Sequence, residues 1–119
     1  MGSLKNLCFH CKTSGMIRIS INLLEMLNYP KYVRFLINIE KKEMAVQFSN
    51  KDDHQALKIR YQSSVANGAE IHSMLVARKI FEEMHWDKEY PYRTTEYKQI
   101  SKNIVVVNLA TAKQLVNYK

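Results

Sequence analysis

Glycine is scarce: Gly2, Gly15 and Gly68 are the only three in 119 residues, and each stands alone. No glycine-rich loop can therefore cradle a nucleotide phosphate, and Ser63-Ser64 lacks the glycines of a nucleophile elbow. Long apolar runs are missing as well. Stretches such as Ile104 to Leu109 fall far short of the roughly 20 residues that cross a bilayer, and no apolar signal-peptide core opens the chain. A membrane partner is not expected, and the location expected is the cytoplasm. Cysteine is limited to Cys8 and Cys11, in Cys8-Phe9-His10-Cys11, which supplies half a zinc site or a redox pair. A zinc site needs four ligands. His54, His72 and His85 stand singly and there is no second CxxC, so no metal and no cofactor are expected.

Charge of one sign never accumulates in a block. The net charge is +7, divided as +2 over residues 1–15, +3 over 16–60 and +2 over 61–119. A basic chain gains affinity for phosphates by releasing their counterions, but an even spread serves solubility equally. What is present is a globular composition, 46% hydrophobic and 24% charged, with enough apolar surface to offset the entropy of folding.

Residues 1–15 lack periodic apolar order and end in the loop-like Thr13-Ser14-Gly15, so they read as a flexible leader. Residues 16–119 read as one compact domain. Ile17, Ile19 and Ile21 alternate with Arg18 and Ser20 as a strand with one buried face. Asn22 then caps a short helix, Leu23 to Leu27, that stops at Asn28-Tyr29-Pro30. Val33 to Ile39 and Met44 to Phe48 alternate as a hairpin turning at Lys41-Lys42. Leu57, Ile59 and Tyr61 form a further strand, Ser63 to Gly68 a loop, and Ala77 to Met84 a second helix, preceded by residues 71–75 as strand or helix. Ile104 to Leu109 reads as a well-buried strand, and Ala110 to Lys119 as a final helical turn.

The two halves resemble one another. Leu24-Glu25-Met26-Leu27-Asn28-Tyr29 aligns with Phe81-Glu82-Glu83-Met84-His85-Trp86 at an offset of 57, apolar on apolar, Glu on Glu, aromatic on aromatic. Met44, Val46 and Phe48 align with Val105, Val107 and Leu109 at an offset of 61. The expected fold is thus α+β, a small β-rich, barrel-like domain made of two β-α-β-β halves with short helices, as pseudo-repeats over about 17–49 and 71–110.

The stretch Arg18-Ile19-Ser20-Ile21-Asn22, then Leu23 to Tyr29, then Tyr32-Val33 and a hairpin ending at Phe48, resembles the AbrB/SpoVT/MazE family of swapped-hairpin regulators and antitoxins. The likeness covers about 33 residues. The chain departs from the family pattern at Ile17, where the family has Gly; at Asn22, where it has Pro; and at Leu27-Asn28, where it has Leu-Gly. Of the family's basic strand only Arg18 is matched, and the second copy, placed at about His72 to Ala77, has no equivalent. The resemblance implies a bacterial, DNA-binding transcription regulator or a degenerate relative, and either a homodimer of interlocked hairpins or a monomer holding both copies.

Function is therefore expected in binding, and no enzyme is expected. Asp52-Asp53-His54 are contiguous and point different ways in an extended segment, which suits a turn, and Glu40-Lys41-Lys42 lacks the partner carboxylates of a nuclease. Arg18, Arg34, Lys58, Arg60, Arg93 and Lys98 are the candidate phosphate contacts on double-stranded DNA. Trp86, Tyr90, Tyr92 and Tyr97, beside Arg93 and Lys98, are candidates to stack on bases or to hold a protein partner, or else they pack the hairpin. The alternative function is a protein-interaction module or inhibitor, phage- or mobile-element-encoded, with no DNA contact.

Overall fold

The computed structural model describes residues 7–10, 15–61 and 68–116. Strand β1 (Leu7–His10) pairs with β2 (Met16–Ile19), which leads into helix α1 (Ile21–Met26). The hairpin β3 (Tyr32–Asn38) and β4 (Glu43–Ser49) follows, then two short strands, β5 (Leu57–Lys58) and β6 (Arg60–Tyr61). The remainder is β7 (Ala69–His72), helix α2 (Met74–Glu83), β8 (Tyr92–Thr94), β9 (Tyr97–Ser101), β10 (Ile104–Asn108) and β11 (Lys113–Gln114). This is a strand-rich α+β domain of two antiparallel sheets, ordered β11-β8-β1-β2-β7-β6 and β5-β3-β4-β10-β9.

Residues 7–10 are not part of a leader. Leu7 and Phe9 are fully buried, and β1 sits inside the first sheet between β8 and β2. Four residues give too little periodicity to register in the sequence, yet alternation of Leu7 and Phe9 with Cys8 and His10 suffices once two neighbours are present. Residues 62–67, where most of the expected Ser63–Gly68 loop falls, and Cys11 lie outside the described residues.

The inner faces of both sheets and one side of each helix form a single core, with Ile17, Ile71, Met44, Val105, Leu24 and Phe81 fully or almost fully buried. Each helix starts on a serine rather than on Asn22. Ser20 Oγ accepts from Leu23 N–H at 3.4 Å and Ser73 Oγ from Val76 N–H at 3.2 Å. The strand expected to reach Ile21 stops at Ile19, because Ile21 is already the first residue of α1. In the second half the strand lies at Ala69–His72, upstream of its expected place, and Met74 already belongs to α2.

Both helices end alike. Tyr29 N–H returns to Leu24 C=O and Trp86 N–H to Phe81 C=O, each at 2.9 Å, with Asn28 at φ 60° and His85 at φ 59° in the left-handed region. Gly15 (φ +68°) and Gly68 (φ +73°) open β2 and β7, each against the start of the other half's helix. A Cβ on Gly15 would stand 2.7 Å from Met74 Cα, and one on Gly68 would run into the Ile19 carbonyl oxygen. Only glycine fits both positions.

The expected barrel does not close. Among the described residues the sheets keep β11 and β6 as edges of one, and β5 and β9 as edges of the other. The strand expected over Leu57 to Tyr61 breaks at buried Ile59, whose N–H turns away to Lys31 C=O at 2.9 Å. Lys58 therefore joins the second sheet and Arg60 the first, so the chain changes sheets without a continuous ladder. The tail is not helical over the residues described: Lys113 and Gln114 pair with Arg93 and Tyr92. No helix among the described residues is long and apolar enough to cross a membrane.

Candidate nucleic-acid interface

Antiparallel pairing sets directly opposed residues on the same face of a sheet, so a row can be followed from strand to strand. In the first sheet Lys113 is opposite Arg93, Arg93 opposite Cys8, Cys8 opposite Arg18, Arg18 opposite Glu70, and Glu70 opposite Arg60. Their chain neighbours Phe9, Ile17, Ile19, Ala69 and Ile71 fill the core, which turns this row outward. With strands about 4.8 Å apart, four cations, one thiol and one carboxylate span roughly 24 Å. The adjacent row on this face is His10, Met16 and His72.

Within the face, Glu70 is the counter-charge. One of its oxygens lies 3.7 Å from Arg18 Nη1 and the other 3.4 Å from His72 Nε2, while Arg60 faces it from β6. Cys8 Sγ lies 3.3 Å from His10 Nε2. Burial pushes the Cys8 thiol above its usual range, against the opposing pull of Arg93 and Arg18. Burial and Arg18 hold His10 below its ordinary value, with Glu70 acting the other way. Both shifts favour the uncharged side chains, the protonated thiol of Cys8 and the neutral imidazole of His10.

Of the six basic residues singled out in the sequence, the sheet gathers Arg18, Arg60 and Arg93, and adds Lys113. The other three lie on the second sheet. Arg34 is tied to the turn after β4, with Nη1 donating to Asp53 Oδ2 at 3.1 Å and Nη2 to Gln55 Oε1 at 2.7 Å. The same Asp53 accepts from Gln55 N–H and Ser49 Oγ, and these bonds, with Arg34, hold its carboxyl below the ordinary range. Lys58 is opposite Tyr32 and Lys98 opposite Val106.

The aromatic candidates divide. Trp86 and Tyr92 stack with centroids 4.4 Å apart at 7°, and Phe9 and Phe81 pack against Trp86 at 5.6 and 5.3 Å. Tyr92 is buried, and its hydroxyl accepts from Asp87 N–H at 2.9 Å while bonded to Gln114 Nε2 at 3.0 Å. Tyr92 thus belongs to the core, and Trp86, partly buried, packs against it. Tyr90 and Tyr97 remain exposed, Tyr90 just before β8 and Tyr97 on the second sheet. Asp52-Asp53-His54 lies in the turn that Asp53 organises.

Sequence reasoning missed Lys113, Glu70, Cys8 and His10 as members of this face. Cys8 and Glu70 alternate with apolar neighbours, Cys8 and His10 register only as half a zinc site or a redox pair, and Lys113, between Ala112 and Gln114, carries no periodic signal. Their assembly depends on pairings of β1 with β8 and of β8 with β11, which join distant parts of the chain. No family model, curated protein or solved structure matches this chain.

Proposed function

We propose that the protein is a non-enzymatic, cytoplasmic DNA-binding protein, a transcription regulator of the AbrB/SpoVT/MazE kind in which two β-α-β-β copies share one chain. The outer face of the first sheet meets the phosphates of a duplex. The carrying observation is the row Lys113-Arg93-Cys8-Arg18-Glu70-Arg60, where cations scattered in sequence align across six strands. Arginine suits the task, since its planar fork grips a phosphate by two hydrogen bonds. The two-copy reading draws support from the matching halves: a left-handed Gly five residues before a capping Ser, and a helix closed by the same backbone return.

Fluorescence anisotropy with a labelled duplex at about 50 and about 200 mM salt tests the assignment; neutralising about four phosphates implies a loss of about 100-fold between them. Replacing Arg18, Arg60, Arg93 and Lys113 together by Gln is expected to abolish the low-salt affinity, and K58Q/K98Q to leave it within about threefold. No affinity for any duplex at low salt overturns the reading. A protein-interaction module would then be favoured, through the second sheet's outer face, where Leu36, Ala45 and Val106 are consecutive in register and Leu36 and Ile100 are 42% and 60% exposed.

A further inference from the structure

We infer that the row contains one principal oxyanion seat, over Cys8 between Arg93 and Arg18, and that Glu70 competes with the bound phosphate for Arg18. The inference rests on the reading of this face as phosphate-binding and assigns the seat within it.

Cys8 is directly opposite Arg93 on one side and Arg18 on the other, one strand interval away in each direction. A short side chain between two long cationic ones leaves a floor with two walls. Both arginine charges pull the Cys8 thiol downward against burial, as expected of cations on the two neighbouring strands. Burial keeps the thiol protonated at neutral pH, so it adds no negative charge to repel an anion. His10, 3.3 Å from the sulfur, supplies a polar ring at the same end, and Lys113 faces Arg93 from the next strand. On this side of Arg18 the row holds no carboxylate.

The other side differs. Arg18 and Arg60 both face Glu70, which is only 22% exposed at its side chain and already holds Arg18 and His72. A phosphate there would have to displace a resident carboxylate. A phosphate over Cys8 needs only to draw Arg18 away from a 3.7 Å contact, and Glu70 opposes that movement. The ligand chemistry is a phosphate oxyanion, free or as a backbone diester.

The thiol at the floor of the seat reports its occupancy. In the full chain carrying C11S, Cys8 is alkylated with neutral iodoacetamide, alone, with inorganic phosphate, and with a short duplex whose binding is followed by anisotropy. Phosphate at tens of millimolar and the duplex at low salt are each expected to slow alkylation about fivefold or more. R93Q is expected to remove protection by both, K58Q to preserve it, and E70Q to lower the phosphate concentration for half-protection about threefold or more. Duplex bound with Cys8 unprotected overturns the seat and leaves the basic face. Protection by phosphate without duplex binding keeps the seat and overturns the DNA reading, and protection by neither overturns both. Protection equal in wild type and E70Q overturns the competition by Glu70. If the thiol resists alkylation, the amide shifts of Cys8 and Arg93 under the same titrations decide between these outcomes.

Discussion

Tyr61 is the residue whose chemistry reaches furthest beyond its place at a sheet edge. Its hydroxyl donates to Pro30 C=O at 2.6 Å, which joins the edge of the first sheet to the turn behind α1. Burial, and then the nearby Tyr29, pushes the phenol up to about 12 from 10.0. The folded protein therefore keeps this proton over a range where the unfolded chain releases it. The stability gained from the group is complete below pH 10 and disappears as the pH rises towards 12. Y61F is expected to cost about 1 kcal/mol at neutral pH, the typical net worth of one hydrogen bond. It should also flatten the decline in stability above about pH 10. Urea midpoints for both proteins at about pH 7 and about pH 11 check this, and an equal alkaline loss in the two would show that another group titrates.

At the scale of elements, the sequence displayed what short-range periodicity can encode. The β3–β4 hairpin and the helix stop at Asn28-Tyr29-Pro30 were legible because alternation and a proline act within a few residues. β1 was not, since four residues carry no period until β8 and β2 flank them. The break at Ile59 was hidden because β5 and β6 share one alternation and differ only in their partners. β10 reads as buried throughout, yet only Val105 and Val107 face the core while Ile104 and Val106 lie on the outer side. The helix ends carry a prediction. Asn28 and His85 occupy the same left-handed position, but asparagine tolerates it through its short polar side chain and histidine bears more of the steric cost. H85G is expected to raise stability by about 0.5–1 kcal/mol and N28G by a few tenths at most. Urea denaturation of the two variants measures the difference, and a destabilised H85G would mean that the histidine side chain makes a contact worth more than the backbone relief.

At the scale of the whole molecule, the basic face could not be read from the sequence, because its six residues come from six strands separated by as many as 105 positions, from Cys8 to Lys113. Counting charge along the chain averages over the ladders that align it. The same interleaving fixes how the protein can be divided. In the first sheet β8 and β7, from the second half, flank β1 and β2, from the first, and β6 returns to cover β7. In the second sheet β4 meets β10 over five paired positions, with Val46 opposite Val105 and Met44 opposite Val107 at the centre of the core. A cut between residues 64 and 65 leaves neither fragment with a complete sheet, and exposes in each the apolar edge the other had covered. A sheet stripped to two or three short strands with an open apolar face is marginal in water. Fragments 1–64 and 65–119 are each expected to lack cooperative folding alone and to regain the circular-dichroism spectrum and the urea transition of the intact chain when mixed. Regained stability should rise with fragment concentration, because association replaces the covalent link. If either fragment unfolds cooperatively as an isolated monomer, the halves are independent units and the shared core does not bind them. If a fragment instead folds as a homodimer, the pairing of β4 with β10 has been replaced by β4 with β4 or β10 with β10, as the proposed two-copy chain would allow.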